Sequence, residues 1–242
     1  LRSLSHKCAE ACADEYNIDR AAQDAYATAS YERATAAIAG GVFKDEIVPV
    51  EVAAGRGKTA MIDTDEEPGA LKLEKLGSLK SAVMKDGTVT AANASSINDG
   101  AAAFVVMSAD KAKELGVSPL AVIKGFGDAE QDPIKFTTAP SLAVPRALAH
   151  AGMTASDVAV HEINEAFSAQ YLGCEKELGL DRDRCNVNGG AISLGHPLGA
   201  TGTRLILTLC YQLRRRGKRY GVGSACIGGG QGIAMLIENT AG

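Results

Sequence analysis

The sequence predicts a layered α/β fold: a mixed sheet with helices on both faces. Three observations predict it. The second half of the 242-residue chain alternates short apolar runs with helical repeats, as strands and helices do when they pack in layers. Hydrophobic residues make up 46% of the chain and charged residues 22%, enough apolar surface for a sizeable core. Glycines, 27 in all, cluster where strands would turn, notably at 189–202 and 228–232.

In order, 7–15 reads as a short Ala/Cys-rich helix and 20–39 as a longer one, with Asp19 as N-cap and Gly40-Gly41 as the stop. Residues 46–52 read as an edge strand because Pro49 lies inside them. Residues 53–80 are a polar, acidic excursion expected on the surface. Strands are expected at 88–91 and 101–107, around the turn-rich run NASSINDG at 93–100. A short helix at 110–115 stops at Gly116, and 121–124 is a strand. Residues 142–151 are helical, with Pro145 acceptable only in the first turn. A strand at 158–163 runs into a helix reaching about 178, with Asn164 as its natural N-cap. Leu205, Leu209 and Leu213 repeat every four residues, so a helix follows the glycine-rich stretch. Strands at 220–225 and 233–237 flank a glycine turn.

Charge and cysteines narrow the function classes. A net charge of −4 argues against a nucleic acid or an anionic membrane as partner. No apolar run approaches the roughly 18 residues of a membrane-spanning helix, and residues 1–7 hold no signal-peptide core. The six cysteines are scattered, with no C-x-x-C pair, so neither a zinc site nor a secreted disulfide framework is expected. Cys210 falls in a helical apolar pattern and reads as core.

The polar residues with chemistry fall at strand ends. His196 is bracketed by Gly189, Gly190, Gly195, Gly199 and Gly202, just ahead of a helix. Alone it reads as a turn residue. The stretch does not bind phosphate by the usual templates: Ala200 follows Gly199 where an NTPase loop needs Gly-Lys, and GVGSAC at 221–226 puts Cys226 in the place of a third glycine. Asn164 at the end of a strand is either a helix cap or an amide facing a ligand. Cys226 before Gly228 is either a small buried hydrophobe or a thiol whose approach the glycines clear, with backbone N–H groups free for an oxyanion.

Taken together, NEAF at 164–167, NGGAISLGHPLGATG at 188–202 and SACIGGG at 224–230 resemble the C-terminal signatures of thiolases. NASSINDGAAA at 93–103 and the helix containing Gln23, Asp24 and Tyr26 extend the resemblance over nearly the whole chain. The resemblance is strongest to the acetoacetyl-CoA thiolase subtype, and it implies an acyltransferase joining two acetyl-CoA into acetoacetyl-CoA and CoA, or cleaving 3-ketoacyl-CoA in reverse. It implies that His196 activates a nucleophilic thiol and helps hold the thioester oxygen. Asn164 would complete that oxyanion site through a water, Cys226 would be the general acid/base, and the Gly228 N–H would serve a second oxyanion hole. Ala166 and Phe167 would line the pantetheine tunnel, and Lys80 is a candidate for the nucleotide end of CoA. No metal or resident cofactor is implied; acetyl-CoA, acetoacetyl-CoA or another 3-ketoacyl-CoA are the partners, and a homodimer or homotetramer is expected.

On this resemblance residues 1–82 correspond to a CoA-covering loop domain, 83–117 to the end of the N-terminal half and 118–242 to a complete C-terminal half. The N-terminal half is otherwise largely missing. None of the six cysteines matches the context of the acylated cysteine, so this chain is expected to be inactive alone, and 83–117 is expected to lack its usual strand partners. Two other readings stand beside it: a non-catalytic CoA-binding protein derived from a thiolase, and a ketosynthase-type condensing enzyme, against which Cys226 before three glycines speaks. An intracellular location is expected, mitochondrial or cytosolic rather than peroxisomal, since the chain ends NTAG and not Ser-Lys-Leu.

Overall fold

A computed structural model of the chain describes residues 2–69 and 71–240. Helix α1 spans Arg2–Glu15 and α2 Arg20–Ala39. Between them Asn17 takes a left-handed turn, and the Asp19 carboxylate caps α2 by accepting the Ala22 N–H at 2.7 Å. The buried residues of α2 (Gln23, Tyr26, Ala27, Ser30, Tyr31, Ala34 and Ala37) recur at helical spacing. That face meets α5, Ser168–Leu178, where Tyr26 stacks on Tyr171 at 4.2 Å between ring centres.

The main sheet is mixed, in the order β3-β6-β5-β4. Strands β3 (Ala121–Glu130), β6 (Gln231–Asn239) and β5 (Tyr220–Ile227) are antiparallel neighbours, and β4 (Val160–Ile163) lies parallel to β5. Helix α4 (Ala139–His150) covers one face through Ala143, Val144, Ala147 and Leu148. Helix α7 (Thr201–Arg215) covers the other, where Leu209, Cys210 and Leu213 meet Val160 and Ile237. Close approach of α4 requires Gly127, since a Cβ there would lie 2.6 Å from the Ala147 nitrogen. The layered α/β prediction therefore holds, and Cys210 is core.

All four residues of β4 are buried, as in a strand covered on both faces. Its outer edge is closed by Asn186, whose side chain accepts the Ile163 N–H at 2.8 Å and donates to the Ile163 carbonyl at 2.9 Å. The Asn186 N–H donates to the His161 carbonyl.

Several expectations change. Residues 88–91 and 101–107 are not strands. At 88–91 the backbone is held by a side chain: the Glu10 carboxylate accepts the N–H groups of Thr88 and Val89. At 101–107 the residue types suit a strand, but a ladder needs a neighbour and, among the described residues, none lies beside it. The edge strand expected at 46–52 is present as β1 (Val50–Ala53), and the polar excursion supplies its partner β2 (Thr59–Ile62), the hairpin turning through left-handed Gly55, Arg56 and Gly57. Helix α4 starts at Ala139, so Pro140 takes the first turn and Pro145 sits inside the helix. Pro145 is exposed, on the solvent side, where water can satisfy the carbonyl its missing N–H leaves.

Candidate active site

The parallel pairing of β4 and β5 sets Ile163 opposite Ser224, and the Asn164 N–H donates to the Ser224 carbonyl at 2.9 Å. Asn164 thus leaves β4 beside the end of β5 that carries Cys226. The C-terminal ends of parallel strands are where α/β sheets place ligands. Asn164 is not a helix cap: α5 begins four residues later with Phe167 as N-cap. Its side chain is wholly buried and reaches His196, with Nδ2 3.4 Å from the ring Nε2. The Asn164 Oδ1 is buried and accepts no hydrogen bond from the described residues.

His196 lies between a one-turn helix α6 (Ala191–Leu194) and α7. Its backbone N–H donates to the Ser96 carbonyl at 3.1 Å and to the Asn98 Oδ1 at 3.0 Å. Its Nδ1 is 2.7 Å from the Thr201 hydroxyl. Gly195 makes this fit possible: its φ is +91°, and a Cβ there would lie 2.4 Å from the Asn98 side chain. The glycine-rich stretch is anchored from beneath by Glu165, whose carboxylate accepts Tyr26 Oη, Ser30 Oγ, Asn186 Nδ2 and the Ile192 N–H. These bonds tie α2 to the β4–α5 corner.

Burial, with the nearby Arg204 guanidinium, lowers the His196 pKa, so the ring is neutral at pH 7. Arg204 stands 3.9 Å from the wholly buried Glu162. Burial pushes that carboxyl up to about 8 although Arg204 pulls the other way. Burial also pushes the Cys226 thiol up to about 12. A neutral imidazole beside Asn164 and a protonated thiol at the end of β5 suit proton transfer and the hydrogen bonding of a developing oxyanion.

Ala166, Phe167 and Cys226 pack in one apolar cluster with Cys8, Val89, Ala94 and Phe136. The Ala166 carbonyl accepts the Ser95 N–H and hydroxyl, and Ala94 bridges Phe167, which brings the 93–98 run alongside the site. Gly228 lies in the exposed turn between β5 and β6, with open space where a side chain would be. Lys80 is exposed, and no hydrogen bond or ion pair joins it to this group. Asn98, Thr201, Glu162 and Arg204 are site neighbours the sequence reading did not single out. Asn98 falls inside the NASSINDG run, and Thr201 is five residues past His196 where a helix opens, so both had a faint positional signal. Among the described residues no three or more His, Cys, Asp or Glu side chains gather as a metal site.

The N-terminal domain model of thiolase matches residues 5–110 and the C-terminal domain model matches residues 117–239. The chain belongs to the thiolase family. It is 54% identical over 231 residues to the acetyl-CoA acetyltransferase of Schizosaccharomyces pombe, covering 95% of this chain and 58% of that one. It is 52% identical to acetyl-CoA acetyltransferase 2 of Arabidopsis thaliana, covering 96% and 58%. Among solved structures, the Bacillus anthracis acetyl-CoA acetyltransferase matches with TM-score 0.94 and 45% identity, over 97% of this chain and 60% of that one. Human mitochondrial 3-ketoacyl-CoA thiolase in complex with CoA matches with TM-score 0.91 and 45% identity, over 97% and 58%. The thiolase fold thus fits almost all of this chain, which spans about three-fifths of the length of these relatives. One relative, from Gibberella zeae, is described as cytosolic. No helix among the described residues is long and apolar enough to cross a membrane.

Proposed function

We propose that this chain is the larger part of a thiolase-type acyltransferase that condenses two acetyl-CoA into acetoacetyl-CoA and CoA, and cleaves 3-ketoacyl-CoA in reverse. The observation that carries the reading is the contact of His196 with Asn164 at the strand end beside Cys226. In the first half-reaction the Nε2 of His196 takes the proton of a nucleophilic thiol, whose sulfur attacks the acetyl-CoA carbonyl. The oxygen that becomes negative is met by the imidazole and by a water on the free Oδ1 of Asn164. Cys226 is protonated at rest, so it acts first as an acid, giving its proton to the departing CoA sulfur. The thiolate so formed then removes a proton from the methyl group of a second acetyl-CoA. The new carbanion attacks the acyl carbonyl, a carbon–carbon bond forms, and the nucleophile's sulfur leaves. The Gly228 N–H would hold the second thioester oxygen, Ala166 and Phe167 the pantetheine and Lys80 the nucleotide end. CoA thioesters are substrates here, with no resident cofactor assigned.

The nucleophilic thiol itself is assigned to the part of the thiolase chain that this sequence does not match. Among the described residues no cysteine is hydrogen-bonded to His196, and about two-fifths of the relatives' length lies outside the match. That complement would also cover the apolar segment at 97–107. Relatives described as cytosolic and as mitochondrial support either compartment over the peroxisome, and the family resemblance supports a homodimer or homotetramer.

Incubating the purified chain with acetyl-CoA tests the proposal. Intact-mass spectra should show no adduct of about 42 Da, the mass an acetyl group adds, while CoA thioesters still bind. Saturable CoA release by the chain alone would overturn the missing-thiol assignment. Absence of any CoA affinity would overturn the site itself. Binding that never becomes turnover, even with the complement supplied, would favour a CoA-binding protein derived from a thiolase.

A further inference from the structure

The two nitrogens of His196 face different partners, and the two contacts together point to where the proton sits. Thr201 is buried at the start of α7. Its Oγ1 lies 3.0 Å from the Pro197 carbonyl and 2.7 Å from Nδ1 of His196. A hydroxyl has one proton, and a carbonyl can only accept. The Pro197 carbonyl also accepts the N–H groups of Ala200 and Thr201, at 2.8 and 2.9 Å. With the hydroxyl proton shared onto it, as a threonine bonds back to the carbonyl four residues before it in a helix, Oγ1 presents a lone pair to the ring and Nδ1 is the donor. We propose that Thr201 is a positioning residue that holds the proton of neutral His196 on Nδ1 and so keeps a lone pair on Nε2, facing Asn164.

Two further contacts agree. An unprotonated Nε2 accepts from Nδ2 of Asn164, the orientation seen at 3.4 Å, and leaves Oδ1 of Asn164 open to a donor. The flipped amide would pair with the other tautomer, so the Asn164 and Thr201 contacts stand or fall together. The backbone clamp from Ser96 and Asn98 keeps the ring from sliding off Thr201. The role matters because only a bare Nε2 can take a proton from a thiol in the pocket. It therefore rests on the reading of His196 as the base, but the tautomer is measurable without any turnover.

The test is a long-range proton–nitrogen correlation spectrum of the full 242-residue chain labelled with 15N-histidine, at neutral pH. The His196 ring is identified by its loss in His196→Gln. Wild type and Thr201→Ser should both show a protonated Nδ1 and a bare Nε2. Thr201→Val keeps the volume and the backbone N–H bond to Pro197 but lacks the acceptor. Its Nε2-protonated form should rise by about tenfold relative to wild type, as loss of one hydrogen bond allows. A wild-type ring protonated on Nε2 overturns the proposal even if Thr201→Val does not fold. So does an unchanged tautomer ratio in a folded Thr201→Val. Failure of the thiolase reading would appear instead as no CoA affinity, with the tautomer intact.

Discussion

Residues 118–242 and residues 97–108 are built from the same residue types and end differently. In the first region each strand has a neighbour, and the outer edge of β4 is closed by Asn186. In the second, Phe104, Val105, Val106 and Met107 are exposed, Val105 at 84%, and no backbone N–H from 97 to 107 bonds to another described residue. Apolar, β-branched sequence makes a strand only where a second strand supplies the ladder. His196 sits at the seam, fixed by α7 on one side and by Ser96 and Asn98 from the open segment on the other.

The largest expected effect separates the two regions directly. Leu236→Ala, in the centre of β6, should cost about 2–5 kcal/mol, while Val105→Ala should stay within about 0.5 kcal/mol. Chemical denaturation of both variants checks this, and equal losses would mean that 97–107 is packed in solution.

Next come two buried ionisable groups on neighbouring positions of β4. Burial, with Arg184, lowers His161 to about 4. Between pH 6.5 and 4 the unfolded chain then binds a proton that the folded chain refuses, so stability falls as pH falls, by about 3 kcal/mol across that window. Glu162, raised to about 8, has the opposite sign: its contribution is full below pH 4.5 and is lost as pH rises toward 8. Melting curves against pH should lose their acid slope in His161→Leu and their alkaline slope in Glu162→Gln. Swapped slopes would refute the burial account of these two residues.

A smaller effect is expected at the seam. Gly195→Ala combines a left-handed backbone with a contact on Asn98, costing about 1–3 kcal/mol. It should also loosen the His196 backbone bonds, visible as faster exchange of the His196 amide. Unchanged exchange would show that Asn98 yields freely.

These contrasts explain how much was legible in the sequence. The layered core was, because strand and helix periods and glycine stops are local signals. So were the positions of Asn164 and Cys226, which fall where strands end; His196 lies instead between α6 and α7, where only its flanking glycines marked it. The strands expected at 88–91 and 101–107 were misread because propensity says nothing about whether a partner exists. The second arm of the hairpin, β2, was hidden by its polar setting and lies largely exposed in the structure. Asn98 and Thr201 hold His196 by contacts that only the folded chain reveals, one of them across 98 residues of sequence.

In the proposed function, His196, Asn164 and Cys226 form a thiolase half-site that takes its thiol from the part of a thiolase chain unmatched by this sequence. Acetoacetyl-CoA thiolysis tests it most directly, measured for the chain alone and for the chain co-expressed with the unmatched segment of the Schizosaccharomyces pombe acetyl-CoA acetyltransferase. No turnover is expected alone, turnover is expected with the complement, and it should be lost in His196→Gln. Turnover by the chain alone, or activity of the complemented pair that survives His196→Gln, would contradict it.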